Sequence, residues 1–157
     1  MQIIVILYNV RSTHNVGSIF RTADALAIRS IILTGTTPTP VDRFGRSRSD
    51  IAKVALGAEK SVFWTYKKDI LSAIKKLKKD DYKIIAIEQS KKSVDYKKIK
   101  LNKKDKVVFV IGEEVRGISP EVLALADMVA EIPMLGQKES LNVSVAFGVA
   151  LFRILNV

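Results

Sequence analysis

The segment that decides the fold runs from Val108 to Pro120 and reads VFVIGEEVRGISP. Its first four residues are apolar, as in a strand that is buried on both faces. A turn bounded by Gly112 and Gly117 follows, and Ser119 then precedes Pro120 as an N-cap precedes the first position of a helix. The segment therefore predicts a strand, a loop and a helix in direct succession.

The same succession recurs along the chain. Short apolar runs predict strands at Ile3–Leu7, Ile31–Leu33, Val62–Trp64, Lys83–Ile87, Val107–Ile111 and Val129–Ile132. Helical patterns lie between them at about 17–27, 49–57, 67–79 and 119–126, with a last one at about 141–155. This alternation is typical of an α/β domain whose largely parallel sheet is covered by helices on both faces.

The length and the apolar runs predict one domain over residues 1–157, because no linker or internal repeat divides the 157 residues. The chain has no apolar run long enough to span a membrane, and the run Ile3–Leu7 lacks the basic flank and cleavage site of a signal peptide. We therefore expect a soluble, cytoplasmic protein.

The composition excludes several kinds of chemistry. The chain has no cysteine, which excludes disulfides, thiolate metal sites and cysteine nucleophiles. His14 is its single histidine, so a metal site built from several imidazoles is excluded too. There is no P-loop, and no G-x-G-x-x-G follows the first strand. A nucleotide-like cofactor would therefore bind in another kind of loop.

The charge of the chain points to a polyanionic partner. Lysine and arginine outnumber aspartate and glutamate by 26 to 16, giving a formal net charge of +10. RNA, DNA and acidic membranes all suit this excess. The lysines between residues 67 and 79 are better explained as the solvated face of an amphipathic helix. The lysine-rich loop Ser90–Lys106 is likewise interpreted as plain surface.

The loop Gly35–Arg48 is a candidate for contact with nucleic acid. It carries Arg43, Arg46 and Arg48 together with Phe44. Guanidinium groups bind phosphate, and an exposed aromatic ring stacks on a base. A solvated surface loop accounts for the same residues equally well.

The last predicted helix is apolar in nearly every direction. Its apolar residues are Leu141, Val143, Val145, Phe147, Val149, Leu151, Phe152, Ile154 and Leu155. A helix that is apolar all round needs partners all round. In a domain of this size, part of that surface is expected to meet a second copy of the chain across a two-fold axis.

Polar residues cluster in the segment Asn9–Ala23, which leaves a buried strand, crosses a polar turn and enters a helix. Open α/β sheets bind ligands at the carboxyl ends of their strands, where a helix N-terminus offers free N–H groups. If Asn15 lies in the turn, Asn15 and Arg21 can approach one ligand. Alternatively, Asn15 caps the helix and Arg21 is a surface residue.

Two further loops carry polar groups where a ligand could bind. In the first, Gly112 would let a ligand's ring lie against bare backbone, while Glu113 and Glu114 could accept hydrogen bonds. In the second, Ile132–Ser144, three polar side chains stand at the start of the last helix. Helix capping explains one of Ser140, Asn142 and Ser144 but hardly all three. The surplus indicates a ligand.

Taken together, the three segments resemble the SPOUT superfamily of knotted methyltransferases, and specifically its SpoU branch of RNA 2′-O-ribose methyltransferases. The most specific pieces are Asn15-x-Gly17 with Arg21-Thr22-Ala23, Gly112-x-Glu114-x-x-Gly117, and Ile132-Pro133-Met134 followed by Ser140-Leu141-Asn142-Val143-Ser144. The resemblance covers essentially the whole chain. Glu113, between Gly112 and Glu114, departs from the family pattern by adding a charge.

The resemblance implies a parallel sheet whose C-terminal part is threaded into a deep trefoil knot, and a dimer formed through that region. It also implies that the knot loops bind the adenosine of S-adenosylmethionine. The residues carried over as cofactor contacts are Gly112, Glu114, Ile132, Met134, Ser140, Leu141 and Asn142. Arg21 is carried over as the catalytic arginine, and Asn15 as its neighbour in the active site.

The implied chemistry brings a ribose 2′-hydroxyl in line with an electrophilic methyl group, and positioning supplies much of the acceleration. Arginine is a poor base because its pKa lies above about 12, so Arg21 is interpreted as an orienter and electrostatic partner. No metal is required. Without the terminal extensions that larger members use to grasp RNA, substrate choice is expected to rest on the domain itself. The RNA-contact candidates are Arg11, His14, Arg43, Arg46 and Arg48.

Two alternatives stay open at this point. One is a SPOUT enzyme that methylates a base, against which the Ser140-Leu141-Asn142 signature argues. The other is a non-catalytic RNA-binding dimer, which would have no chemical need for Arg21, Asn15 and the full cofactor set. The expected substrate is structured RNA, either tRNA, which the small size favours, or rRNA.

Overall fold

A seven-stranded parallel sheet forms the centre of the computed structural model, which describes residues 1–28 and 30–157. Its strands are β1 (Gln2–Tyr8), β2 (Ser30–Thr34), β3 (Phe63–Lys67), β4 (Lys83–Ile87), β5 (Val94–Asp95), β6 (Lys106–Ile111) and β7 (Met128–Glu131). Their order across the sheet is β3-β2-β1-β6-β4-β7-β5, and every neighbouring pair is parallel. The predicted α/β class is confirmed.

Helices cover the sheet on both faces. They are α1 (Thr13–Ala25), α2 (Ser49–Ala55), α3 (Ala58–Ser61), α4 (Ile70–Lys79), α5 (Pro120–Leu123) and α6 (Val143–Leu155), with a 3₁₀ turn at Tyr96–Lys98. In β6, Phe109 and Ile111 join the core that contains Phe20 of α1 and Phe147 of α6. Val108 and Val110 of the same strand join the opposite core, beneath α4 and α5. Burial on both faces explains why the strand is an uninterrupted apolar run.

The parallel arrangement brings distant segments together. Because the carboxyl ends of parallel strands lie at one edge of a sheet, the loops after β1, β4, β6 and β7 all emerge there. β6 lies between β1 and β4, and β7 lies on the other side of β4. The trefoil knot implied by the family resemblance stays a prediction, since strand order does not define how the loops thread.

The start of α1 differs from the prediction. The helix begins at Thr13, not near residue 17, because the Ser12 hydroxyl oxygen accepts a hydrogen bond from Asn15 N at 3.2 Å and caps it. Asn15 is therefore inside the first helical turn and does not cap the helix.

Other helix boundaries differ as well: the last helix begins at Val143, not at about 141, because Asn142 caps it. The helix predicted over 49–57 ends at Ala55, because Leu56 and Gly57 adopt left-handed conformations with φ of 52° and 96°. The strand predicted at Val62–Trp64 lies at Phe63–Lys67, so the following helix starts later, at Ile70, where Asp69 accepts from Leu71 N at 3.0 Å. The helix predicted over 119–126 is the single turn α5.

The loop Ser90–Lys106 is not plain surface. It contains β5 and the 3₁₀ turn, and it buries Tyr96 and Ile99 in the core that also holds α1 and α6. The sequence did not predict burial of Tyr96 and Ile99, because a lysine-rich segment is typical of a solvated surface. Among the described helices, none is both long and apolar enough to cross a membrane.

Close packing between α1 and α2 generates a first prediction. A Cβ added at Gly17 would lie 2.8 Å from both Ile51 O and Val54 Cβ. Gly17→Ala is therefore expected to lower the free energy of unfolding by about 1–3 kcal/mol, measured by urea denaturation.

Gly148→Ala in α6 is the matched control. Its new Cβ would have Thr22 Cγ2 as nearest neighbour, at 3.8 Å, which is an ordinary van der Waals distance. Alanine also has the higher helix propensity, so this variant is expected to be neutral or more stable by up to about 1 kcal/mol. Equal losses in the two variants would contradict the assignment of Gly17 to a tight helix contact.

Candidate active site

A cleft of about 340 Å³ opens at the carboxyl edge of the sheet, between the loops that follow β4, β6 and β7. Six of the seven residues predicted to contact a cofactor line it: Gly112, Glu114, Ile132, Met134, Ser140 and Leu141. The seventh, Asn142, lies at the start of α6 and contacts α1 instead. The fold thus gathers two predicted loops around one cavity.

The loop after β6 closes into a tight turn. Gly117, at a φ of +64°, donates its N–H to Glu113 O at 3.1 Å. A Cβ at Gly112 would lie 2.5 Å from the Gly117 carbonyl carbon. The geometry therefore gives Gly112 a steric reason of its own, while the close approach of a ligand's ring stays a prediction. Gly112 lacks a side chain because the turn folds back against it.

Glu88 is a functional candidate that the sequence reasoning missed. Its carboxylate accepts hydrogen bonds from Ile118 N at 2.9 Å and from Gln89 N at 2.8 Å, so it fastens the turn after β6 to the end of β4. Gln89 then donates to Glu139 O at 2.8 Å in the third loop. The sequence did offer a signal for Glu88, because it is a charged residue directly after a buried strand. Polar residues at the ends of other strands were predicted as ligand contacts for the same reason.

The Asn15 side chain joins all three predicted segments. This residue is buried in the first turn of α1. Its amide Nδ2 donates to Glu114 Oε1 at 2.9 Å, and its Oδ1 accepts from Asn142 Nδ2 at 3.1 Å. Asn142 Oδ1 in turn accepts from Ser144 N at 2.9 Å and caps α6. One amide thereby fixes two loops relative to a helix.

Ser144 has a local explanation. Its hydroxyl donates to Asn142 Oδ1 at 2.7 Å, so the cap accounts for both residues. Of the three polar residues at the start of the last helix, only Ser140 is left without a capping role, and it lines the cleft.

The cleft is acidic although the chain as a whole is basic. Its polar lining includes four glutamates, Glu88, Glu113, Glu114 and Glu139, against the single cation Arg116. Glu113 also lies 3.6 Å from the guanidinium of Arg11. An apolar wall faces these groups, formed by Ile87, Ile111, Ile132, Met134, Leu141 and Val143. This combination suits a ligand that is part apolar and part cationic.

The hydrogen bonds around Glu114 favour its ionised form. Burial raises the pKa of its carboxyl, but the hydrogen bond from the Asn15 amide and others from the backbone of Glu114, Ser12 and Arg11 outweigh burial and hold the pKa below its usual value. Glu114 is therefore ionised at neutral pH and available as a hydrogen-bond acceptor.

Arg21 does not line the cleft. Both Asn15 and Arg21 lie in α1, where six residues correspond to about 120° around the helix axis. The condition that Asn15 lies in the turn is therefore not met, and the two side chains leave the helix in different directions. Arg21 is exposed and precedes Thr22, which packs against Gly148 of α6.

The RNA-contact candidates fall into two groups. Arg43, Arg46 and Arg48 line a second, more open cleft of about 690 Å³. Arg11 and His14 are exposed residues at the start of α1, close in sequence to Asn15. The arginine loop therefore forms a surface of its own.

Comparison with known proteins reveals close relatives. The model of the SpoU rRNA Methylase family matches residues 2–152. The tRNA (guanosine(18)-2′-O)-methyltransferase of Thermus thermophilus is 35% identical over 151 residues, which cover 94% of this chain and 71% of that protein.

Solved structures agree with this match. The Aquifex aeolicus TrmH/SpoU tRNA modifying enzyme superposes with a TM-score of 0.83 at 29% identity, over 99% of this chain and 74% of the other. The AdoMet-bound rRNA methyltransferase of Sinorhizobium meliloti superposes with a TM-score of 0.85 at 27% identity, over 99% of this chain and 56% of the other.

The Asn15 contact generates a prediction about pH. Asn15→Ala removes a hydrogen bond that favours the ionised carboxylate, so the pKa of Glu114 is expected to rise in the variant. A depressed pKa contributes stability above the unfolded-state pKa, and that stability is lost as the pH falls through the folded-state pKa. The stability difference between the wild type and Asn15→Ala should therefore shrink as the pH falls.

Carboxyl NMR titration of Glu114 and urea unfolding across the acidic range measure both effects. Ser18→Ala is the control, since Ser18 lies in the same helix outside the described hydrogen bonds to Glu114. An unchanged Glu114 titration in Asn15→Ala would mean that the Asn15 contact does not set its charge.

Proposed function

This chain belongs to the SpoU rRNA Methylase family, and on that premise we propose that it transfers a methyl group from S-adenosylmethionine to a ribose 2′-hydroxyl of RNA. The observation that carries the proposal is the cleft itself, where the loops after β6 and β7 meet around Asn15. We propose tRNA as the substrate, with rRNA as the second candidate, and residues 1–157 as one catalytic domain acting in the cytoplasm.

The cleft fits S-adenosylmethionine in size and in chemistry. Its volume of about 340 Å³ lies in the usual range for small-molecule sites. The apolar wall of Ile132, Met134 and Leu141 suits an adenine ring, and the four glutamates suit a ligand with an ammonium and a sulfonium. When bound, this cofactor supplies an electrophilic methyl group on a positively charged sulfur. The chain's own residues then have to hold the acceptor in line with it.

Asn15 and Glu88 act in this proposal as positioning residues. Asn15 holds Glu114 and Asn142 in place, and Glu88 holds the turn after β6 at Ile118. Arg21 is exposed and lies outside the cleft lining, so its role rests on the family resemblance: we propose it as the catalytic arginine, a cation that orients the RNA and stabilises negative charge developing on the 2′-oxygen. Arg11 and His14, beside Asn15 in the chain, are proposed to contact the RNA near the site.

The relatives guide the choice of substrate. The Thermus thermophilus relative is named for 2′-O-methylation of a guanosine in tRNA, and the Sinorhizobium meliloti structure is an rRNA methyltransferase. Both substrates are polyanions, which a chain of net charge +10 attracts. The proposed acceptor in either RNA is a ribose 2′-hydroxyl.

The first test is transfer of a labelled methyl group from S-adenosylmethionine to separate tRNA and rRNA fractions, followed by nucleoside analysis. A labelled 2′-O-methylnucleoside is expected in the tRNA fraction. Arg21→Ala is expected to lower turnover by about 100-fold or more while leaving cofactor affinity unchanged, because its charge acts on the reacting RNA.

Lys53→Ala, which removes an exposed cation from α2, is the matched control and should leave turnover unchanged. A labelled base would establish the alternative base methyltransferase. Loss of RNA affinity in Arg21→Ala as large as its loss of turnover would point to a plain phosphate contact.

We also propose that the protein forms a homodimer through α6. One side of this helix packs into the core, through Val143, Phe147, Ala150, Leu151 and Ile154. The other side exposes an apolar stripe, Val145, Val149 and Phe152, at the spacing of one helical face. Such a stripe is stabilised by burial against a second copy, most simply across a two-fold axis. Helix α1, which carries Arg21, packs against α6.

Val149→Glu is expected to convert a dimer into a monomer, because it would bury a charge in that interface. Val149 is 40% exposed, and Val94 on β5, at 41%, provides a matched control. Val94→Glu should remain dimeric. Sedimentation velocity measures both variants, and a monomeric wild type, or a dimeric Val149→Glu, would contradict the assignment of α6 to the interface.

A further inference from the structure

The loop after β2 ends in a compact hairpin that presents an aromatic ring. The hairpin, Val41–Arg48, is closed by a bridge between Val41 and Ser47 and by hydrogen bonds from Asp42 N to Arg46 O at 2.8 Å and from Arg48 N to Pro40 O at 2.9 Å. Phe44 lies at its tip and is 67% exposed. Burial therefore does not explain this large apolar side chain.

Asp42 holds the tip in shape. Its Oδ1 accepts from Phe44 N at 2.8 Å and from Arg46 N at 2.9 Å, while its Oδ2 accepts from Arg46 Nε at 2.7 Å. The backbone hydrogen bond from Arg46 contributes most to lowering the pKa of Asp42, so the carboxylate persists at neutral pH. The ring is consequently displayed by a preformed turn, which reduces the entropy lost when a ligand binds.

Two guanidinium groups approach the Phe44 ring. Arg43 Cζ lies 4.7 Å and Arg46 Cζ lies 5.1 Å from its centroid. Arg46 is also paired with Asp42, and Arg48 with Asp50 at 3.0 Å. Planar guanidinium groups and an aromatic ring are the groups on which an unpaired nucleobase stacks, and arginine also binds the adjoining phosphate.

A second aromatic residue lines the same open cleft. Tyr66 on β3 is part-exposed, and its hydroxyl donates to Gly35 O at 2.7 Å, which fixes the ring beside the start of the loop. The cleft between Tyr66 and the hairpin has a volume of about 690 Å³. A base stacked on Phe44 would lie beside the polar and aromatic side chains that line this cleft.

We propose that the hairpin Val41–Arg48 binds an unpaired nucleobase of the RNA substrate, with Phe44 as the stacking surface and Arg43 as the contact to the adjoining phosphate. This inference rests on the proposed function and adds to it a base-binding subsite that shares no lining residue with the methyl-transfer cleft. A paired base has both faces covered by its neighbours in the helix, so a duplex does not offer the ligand that this site takes.

The experiment compares binding of a short, end-labelled RNA of mixed sequence without self-complementarity with binding of the duplex that it forms with its complement. Phe44→Ala is expected to weaken binding of the single strand by about 5- to 150-fold, the range for loss of one stacked base. Duplex binding should change little. Phe44→Trp should retain affinity, whereas Phe44→Leu, apolar but without a flat ring, should lose it.

Phe63→Ala is the matched control, because Phe63 on β3 is 65% exposed and does not line the open cleft. It should leave both Kd values unchanged. Thermal unfolding of each variant separates a binding defect from a folding defect, and the pair Phe44→Trp and Phe44→Leu repeats the test if Phe44→Ala is destabilised.

Three results would overturn the stacking site: equal losses for single strand and duplex, equal losses in Phe44→Ala and Phe63→Ala, or full affinity in Phe44→Leu. Methyl transfer by the wild type is measured separately. If it labels a 2′-hydroxyl while Phe44→Ala binds and reacts normally, the hairpin proposal fails and the proposed function stands. If the wild type binds single strands through Phe44 but labels no RNA, the hairpin proposal stands and the proposed function fails.

Discussion

The pairing of β1 with β6 is the constraint on which the site depends. Gln2 to Leu7 lie in parallel register with Lys106 to Ile111, so segments about a hundred residues apart end at the same edge of the sheet. The turn after β1 then leads into α1, and the turn after β6 lies beside it. Asn15 can therefore bond to Glu114 although 99 positions separate them in sequence. Without this register, the polar residues of the three segments would not share one cleft.

The fold could be predicted because its signals are local and repeated. A strand buried on both faces is a continuous apolar run, as at Val107–Ile111. Such a run has none of the alternating polar residues of a strand with one face in solvent. Helix boundaries were harder, because they depend on single residues such as Ser12, whose capping role sequence does not distinguish from that of an ordinary polar turn residue. The buried residues Tyr96 and Ile99 escaped prediction because their lysine neighbours dominate the local composition.

The candidate site divides in the same way. Met134 and Ser140 were assigned to the cofactor site through the family resemblance, and both line one cleft. Glu88 was not, because its role is defined by the backbone N–H groups that it accepts from, and these come from another loop. The reason for Gly112 was also out of reach, since it depends on how closely the Gly117 backbone returns. Sequence patterns identify side chains, whereas tertiary contacts decide what each one does.

The distribution of charge connects the cleft with the rest of the surface. A net charge of +10 attracts a polyanion over distances comparable with the Debye length, about 8–10 Å at physiological salt. Inside the cleft, the lining carries four glutamates against one arginine, an excess of negative charge. A phosphate chain is therefore drawn to the surface but repelled from the cleft, which stays open to a small cation. Such a separation of charge is what the proposed transfer between a cationic donor and a polyanionic acceptor requires.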